Sequence, residues 1–130
     1  MAGVSLRSPL GKVLGSGSAK DGTGHWWAQR VTAVALLVLG GWFLLALSPS
    51  TALDHDAMQR WIGQPWNSVL LLLLGLTLSY HSSLGLQVVI EDYVHGPFMK
   101  VVSLILNKFF HAAVAMAAVF AVLKVAFGAG

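Results

Sequence analysis

The sequence predicts an all-α integral membrane protein with three transmembrane helices. Of its 130 residues, 56% are hydrophobic and only 10% are charged, and the mean hydropathy is +0.73. Soluble globular domains carry roughly 25% charged residues, so this chain has too few charged side chains to cover an apolar surface in water. The apolar residues are also concentrated in three blocks, each long enough for a helix to cross roughly 30 Å of hydrocarbon.

Each apolar block predicts one helix. The tryptophan pair at 26–27 is suited to the membrane interface and starts the first helix. Pro65 stands at the start of the second helix, where the first turn favours proline. A charged turn over 91–97 separates the second block from the third. The predicted helices span residues 26–48, 65–91 and 98–127.

The remaining segments are predicted from composition and charge. Residues 1–24 are rich in glycine and serine, so we expect a cytoplasmic tail there, followed by a membrane-anchoring three-helix domain over 25–130. Residues 48–64 carry several charged side chains and are expected to form an extramembrane loop. Lys and Arg concentrate before the first helix and beside the 91–97 turn, so the positive-inside rule puts both of these segments on the cytoplasmic side.

Two counts exclude whole classes of site. The chain has no cysteine, so it cannot ligate an iron–sulfur cluster through thiolates, form disulfides or attach haem covalently. Its net charge of +3 is the balance of eight Lys and Arg residues against five Asp and Glu residues, and no two of the basic residues are adjacent, which is a poor pattern for binding phosphates. We therefore expect membrane lipid, and no nucleic acid, around this chain.

His81 is the deepest ionisable residue of the predicted helices. It precedes Tyr93 by 12 residues, which places it about 18 Å along the helix from the cytoplasmic end. A polar group at membrane depth marks a functional site by default. Gly85 lies one turn away on the same face and leaves room for a neighbouring helix or a flat ligand. Two interpretations stay open here: His81 ligates a haem iron, or its ring hydrogen-bonds across helices.

Further candidates lie at the predicted cytoplasmic interface. The Tyr93 hydroxyl can donate to a quinone carbonyl, with Asp92 beside it to orient it or relay protons, although this pair is also typical of an interfacial aromatic belt. Arg30 can bind a carboxylate in a bidentate pair, or it can serve as a plain positive-inside anchor.

Polar residues of the second and third helices are expected to serve structure. On the third helix, a four-residue spacing places three polar side chains on one face, where they predict hydrogen bonds between helices. These are Ser103, Asn107 and His111. The serines of the second helix are expected to bond back to carbonyls of their own helix. These are Ser79, Ser82 and Ser83.

The spacing of His81, Gly85, Asp92 and Tyr93 on the second of three helices resembles the hydrophobic membrane anchor subunits of succinate dehydrogenase, respiratory complex II. Residues 24–33 are similar to the segment that enters the first helix in that family. Two further stretches are most similar to its α-proteobacterial and mitochondrial branch, residues 79–81 and 87–95.

The resemblance implies a role for each candidate residue. His81 would be one axial ligand of haem b, whose other ligand comes from a cytochrome b partner subunit. The three helices would thus form half of a haem-containing bundle. Tyr93 would hydrogen-bond ubiquinone with Asp92 beside it. Arg30, and also His25, would lie near the haem propionates or the quinone pocket.

The resemblance also implies a division of labour among subunits. Flavoprotein and iron–sulfur partners would oxidise succinate, and this chain alone would have no activity. The expected location is the bacterial inner membrane, with the mitochondrial inner membrane as the alternative. Two rival functions are a small proton-coupled transporter component and a non-redox structural membrane partner.

Reporter fusions test the predicted topology. Fusions within 50–60 should report the non-cytoplasmic side and fusions within 92–97 the cytoplasmic side, because positive charge holds the second segment inside. A C-terminal fusion serves as the control and should agree with the fusions within 50–60. Fusions that place 50–60 and 92–97 on the same side would contradict the topology.

Overall fold

A computed structural model describes residues 8–14, 20–47 and 49–128. Within these residues the chain is helical apart from short connections. Three helices, of 25, 29 and 30 residues, are long and apolar enough to cross a membrane, and the predicted three-helix membrane fold is therefore confirmed. The helices in chain order are α1 (Pro9–Leu14), α2 (Lys20–Ala46), α3 (Pro49–Leu53), α4 (His55–Gly63), α5 (Pro65–Tyr93) and α6 (Pro97–Ala126).

The structure differs from the predicted elements in two segments. α2 begins at Lys20, inside the predicted tail, and α1 also lies in that segment; residues 1–7 and 15–19 of the tail lie outside the described residues. The predicted loop over 48–64 contains two short helices instead. Asp54 caps α4 by accepting a hydrogen bond from the Ala57 backbone N–H at 3.2 Å. The charges that indicated a loop therefore belong to a helix cap and an exposed helix face.

α5 is the central helix of the molecule. It packs against α2 on one side and α6 on the other, whereas no Cα atom of α2 lies within 8 Å of a Cα atom of α6 within the described residues. Gly22, near the start of α2, and Val88, near the end of α5, line the same cavity. The two helices are therefore antiparallel. α4 packs against α5 and α6 at the opposite end from the 94–96 turn, which agrees with the relative sidedness predicted from charge.

An aromatic cluster joins α4 to the end of α2. The Trp61 ring stacks on Trp42 with centroids 5.8 Å apart and planes 16° apart, and Phe43 meets Trp61 at 6.2 Å. At the start of α5, the Asn67 side chain donates to the Trp61 carbonyl at 2.8 Å and the Ser68 hydroxyl to the Ile62 carbonyl. These bonds satisfy carbonyls at the end of α4 that have no partner inside their own helix.

Burial is inverted relative to a soluble protein. Among the described residues, the buried side chains are mostly polar, and Leu84 is the one apolar member of the set. Most large apolar side chains lie on the outside. In a bilayer, apolar side chains can face lipid, whereas polar groups must find partners between helices. The buried polar residues are Asn67, Ser68, Ser79, Asn107 and His111.

Hydrogen bonds between α5 and α6 form a polar seam at membrane depth. Asn107 Nδ2 donates to the Ser83 carbonyl at 2.9 Å. The His111 ring lies 2.9 Å from the Asn107 carbonyl through Nδ1 and 3.0 Å from the Ser82 hydroxyl through Nε2. The interhelical bonding predicted for Asn107 and His111 is confirmed, whereas the Ser103 side chain makes no hydrogen bond within the described residues. The prediction that the α5 serines bond back to their own helix is wrong. Ser82 finds a partner in the His111 ring on α6, and the side chains of Ser79 and Ser83 make no hydrogen bond within the described residues.

Substituting Asn107 tests the contribution of this seam. Asn107→Ala removes a buried interhelical hydrogen bond and should lower the free energy of unfolding by about 1 kcal/mol. Unfolding of the detergent-solubilised protein, followed by circular dichroism, measures the change. Ser103→Ala is the matched control, since Ser103 lies one turn earlier on the same helix and its side chain makes no hydrogen bond within the described residues. Equal stability of the two variants would show that the bond from Asn107 to Ser83 contributes nothing.

Candidate functional site

The hydrogen bond between His81 and Thr32 joins α5 to α2 at membrane depth. Nδ1 of His81 and Oγ1 of Thr32 are 2.8 Å apart. The His81 ring is half-buried, and its other nitrogen, Nε2, has no hydrogen-bond partner within the described residues. The sequence left open whether His81 bonds across helices or ligates a metal. The structure shows the first through Nδ1 and leaves Nε2 free for another partner.

A cavity of about 490 Å³ opens between α2 and α5 at the end where α5 stops. It brings together three residues singled out in the sequence: His25 and Arg30 from α2, and Gly85 from α5. A Cβ built on Gly85 would lie 3.8 Å from Nε2 of Gln29, so the glycine both adjoins the neighbouring helix and leaves space beside it. The complete lining is Gly22, His25, Trp26, Gln29, Arg30, Gly85 and Val88.

The lining of this cavity contains polar groups without partners. His25 Nε2 and Gln29 Oε1 are buried and make no hydrogen bond within the described residues. The Arg30 guanidinium lies 5.4 Å from the Trp26 ring centroid in a cation–π contact. Buried polar atoms are nearly always hydrogen-bonded in folded proteins. The residues lining the cavity therefore include an imidazole, an amide and a cation, and two of their polar atoms are buried without a partner.

Asp92 and Tyr93 lie beyond the lining of this cavity. Tyr93 is the last residue of α5, and its side chain is 77% exposed. Asp92 is also exposed and forms no ion pair within the described residues. Val88, which does line the cavity, precedes Asp92 by one helical turn and so shares its face. The structure thus places the pair at the same end of the molecule as Arg30.

His111 does not belong to this site. It lies on α6, on the opposite side of α5, and is 8% exposed. Both of its ring nitrogens take part in hydrogen bonds, one with Asn107 and the other with Ser82. Its ring has no free nitrogen, in contrast to His81.

Two residues of the site were not identified as candidates from the sequence. Thr32 and Gln29 both lie in the stretch that carried the family resemblance, but neither was assigned a role. Their signal was periodicity, since residues 25, 29 and 32 share one face of a helix. Further openings along the α5–α6 side, of about 600 and 720 Å³, are lined by none of the predicted site residues.

Residues 5–124 match the family described as succinate dehydrogenase/fumarate reductase transmembrane subunit. The chain belongs to this family. It is 33% identical over 115 residues to the succinate dehydrogenase hydrophobic membrane anchor subunit of Paracoccus denitrificans, with 88% of each chain covered. It is 37% identical over 89 residues to the same-named subunit of Rickettsia bellii (strain RML369-C), which covers 68% of this chain and 71% of that one.

A third relative also matches this member of the family. The succinate dehydrogenase membrane anchor subunit of Reclinomonas americana is 32% identical over 93 residues, covering 68% of this chain and 77% of that one. No solved structure matches the chain. The resemblance drawn from the motifs is therefore confirmed, and family membership favours a membrane anchor over a transporter component.

Proposed function

We propose that this chain is the membrane anchor subunit of a succinate:ubiquinone oxidoreductase. In that complex it holds haem b together with a cytochrome b partner subunit and forms part of the ubiquinone site. The free Nε2 of His81 carries the proposal. It lies at membrane depth, and His111, the other histidine at similar depth, is engaged on the far side of α5. A second axial ligand is therefore expected from another chain.

His81 is not among the residues that line the α2–α5 cavity, but the residues between it and the end of α5 fit a haem. Nε2 of His81 offers a lone pair to the iron, and Arg30 and His25 offer a cation and an imidazole to the propionates. The buried, unpartnered His25 Nε2 supports this fit, as does the absence of a side chain at Gly85. When bound, the haem supplies a one-electron redox centre inside the membrane.

The ubiquinone site is proposed at the end of α5. The Tyr93 hydroxyl donates a hydrogen bond to a quinone carbonyl, and Asp92 orients that hydroxyl or supplies a proton path. Arg30 lies at the same end of the molecule. The high exposure of Tyr93 supports a pocket that a second subunit closes, and an iron–sulfur subunit is the partner that delivers electrons to quinone.

Succinate oxidation is assigned to partner subunits. The chain has no cysteine to ligate iron–sulfur clusters and no glycine-rich strand–helix turn for a dinucleotide, so a flavoprotein and an iron–sulfur subunit supply these centres. This chain has no activity by itself. We place the complex in the bacterial inner membrane, with the N-terminus in the cytoplasm as positive charge predicts.

Tyr93→Phe tests the ubiquinone site. Loss of one hydrogen bond, about 0.5–1.5 kcal/mol, should lower ubiquinone reduction by about 2- to 13-fold. Succinate oxidation with a soluble artificial acceptor should be unchanged. Both activities are measured on the purified complex. The matched control is Tyr80→Phe, which alters the other tyrosine of α5 and should affect neither assay. Equal losses in both assays for Tyr93→Phe would show that this tyrosine holds the complex together instead.

Histidine substitutions test the shared haem. His81→Ala should abolish or strongly change the reduced-minus-oxidised spectrum of haem b, because the iron loses an axial ligand. His111→Ala should leave a bis-histidine spectrum, since His111 only bonds α5 to α6. A spectrum lost in His111→Ala, in a complex that otherwise assembles, would contradict a haem shared between chains.

A further inference from the structure

The Thr32 hydroxyl has one proton and several neighbours that compete for it. Its oxygen lies 2.6 Å from the Ala28 carbonyl oxygen, 3.2 Å from the Gln29 carbonyl oxygen and 2.8 Å from Nδ1 of His81. Two oxygen atoms approach to 2.6 Å only when a proton lies between them. The hydroxyl proton therefore points at Ala28, in the bond that threonine commonly makes with the carbonyl four residues earlier.

This direction of the Thr32 proton decides the tautomer of His81. Because the hydroxyl already donates to Ala28, its oxygen can only accept from Nδ1, which must then carry a proton. A neutral imidazole has one N–H, so Nε2 is left with a lone pair. Nε2 is the nitrogen that has no partner within the described residues.

We propose that Thr32 is a positioning residue for the haem ligand. Its hydroxyl holds His81 in the Nδ1–H tautomer and fixes the ring plane, so that the Nε2 lone pair stays available to the iron. Histidines that bind metals commonly donate their other N–H to such an acceptor, which orients the ring and makes it a stronger donor. This inference rests on the proposed function, because it concerns the haem assigned to His81.

Thr32 is well placed for this task by its own helix. The bond to Ala28 fixes the hydroxyl rotor, so the acceptor offered to His81 does not rotate away. Thr32 also lies on the face of α2 that carries His25 and Gln29 towards the cavity. The Thr32 side chain thereby both joins α2 to α5 and orients the proposed iron ligand, His81.

Ser82 provides a natural comparison. It follows His81 directly in the sequence, but its hydroxyl bonds with His111 across the α5–α6 seam. Removing either the Thr32 or the Ser82 hydroxyl breaks one interhelical hydrogen bond at nearly the same depth. Only the loss at Thr32 affects the ring that is proposed to bind iron.

The test uses the complete purified complex, with its partner subunits, in detergent. Thr32→Val keeps the shape of the side chain and removes the hydroxyl, Thr32→Ala is a second variant without the hydroxyl, and Thr32→Ser retains it. Three properties are measured: the low-spin haem spectrum, the midpoint potential of the haem, and haem retention against excess apomyoglobin as a competing acceptor.

We expect the two variants that lack the hydroxyl to bind haem about 10- to 100-fold more weakly than wild type, the usual effect of losing a partner of a metal-bound histidine. Their midpoint potentials should rise, because an imidazole without the Nδ1 hydrogen bond donates less electron density to the ferric iron. Thr32→Ser should restore wild-type values. Ser82→Ala should leave all three haem properties unchanged.

Several results would overturn the inference. Wild-type spectrum, potential and retention in Thr32→Val or Thr32→Ala would show that the hydroxyl does not act on the ligand. Haem loss in Thr32→Ser as large as in Thr32→Val would show that a hydroxyl at this position does not preserve haem binding. Equal effects of Ser82→Ala and Thr32→Val would show a general loss of packing. If the wild-type complex has no haem b spectrum, the haem assignment itself fails and the inference fails with it.

Discussion

The absence of water from the hydrocarbon core is the constraint on which this structure depends. Polar side chains at membrane depth must find partners within the protein, and α5 carries such groups towards both of its neighbours. His81 meets Thr32 of α2, while Ser82 meets His111 of α6. These bonds hold α2 and α6 on opposite sides of α5, where the Cα atoms of the two outer helices stay more than 8 Å apart within the described residues. The result is an open layer rather than a closed bundle.

The same constraint separates two histidines that look alike in the sequence. His111 is buried, and each of its nitrogens is hydrogen-bonded, so it serves the packing of α6. His81 is hydrogen-bonded on one nitrogen only. Among the described residues, three buried polar side-chain atoms have no hydrogen-bond partner. Two of them, His25 Nε2 and Gln29 Oε1, belong to residues that line the α2–α5 cavity, and the third, Asn107 Oδ1, lies at the α5–α6 seam. Most of the unpaired polar atoms therefore lie on the side of α5 where we propose a haem.

The open arrangement also gives a physical reason for partner subunits. A layer with one helix in the middle exposes apolar side chains on both faces, and a lipid bilayer can cover them. Lipid tails offer nothing to an imidazole nitrogen, a guanidinium or a phenol. The unpaired Nε2 of His81, within the membrane span, therefore calls for a polar partner, which fits membership in a family of transmembrane subunits.

Composition and periodicity by themselves determined the membrane-spanning helices, their order and the position of His81 near the middle of its helix, because apolar length and helical rise are local properties. The spacing of Asn107 and His111 likewise predicted their interhelical bonds. The helices within 49–63 were missed because a short helix with charged side chains has a composition similar to that of a loop. Ser82 was predicted to bond within its own helix because the local sequence does not show that His111 of α6 lies beside it. Only the tertiary structure decided that Thr32 bonds His81 and that Gln29 lines the cavity. Both depend on how α2 is rotated against α5, and that rotation follows from contacts between residues almost 50 positions apart.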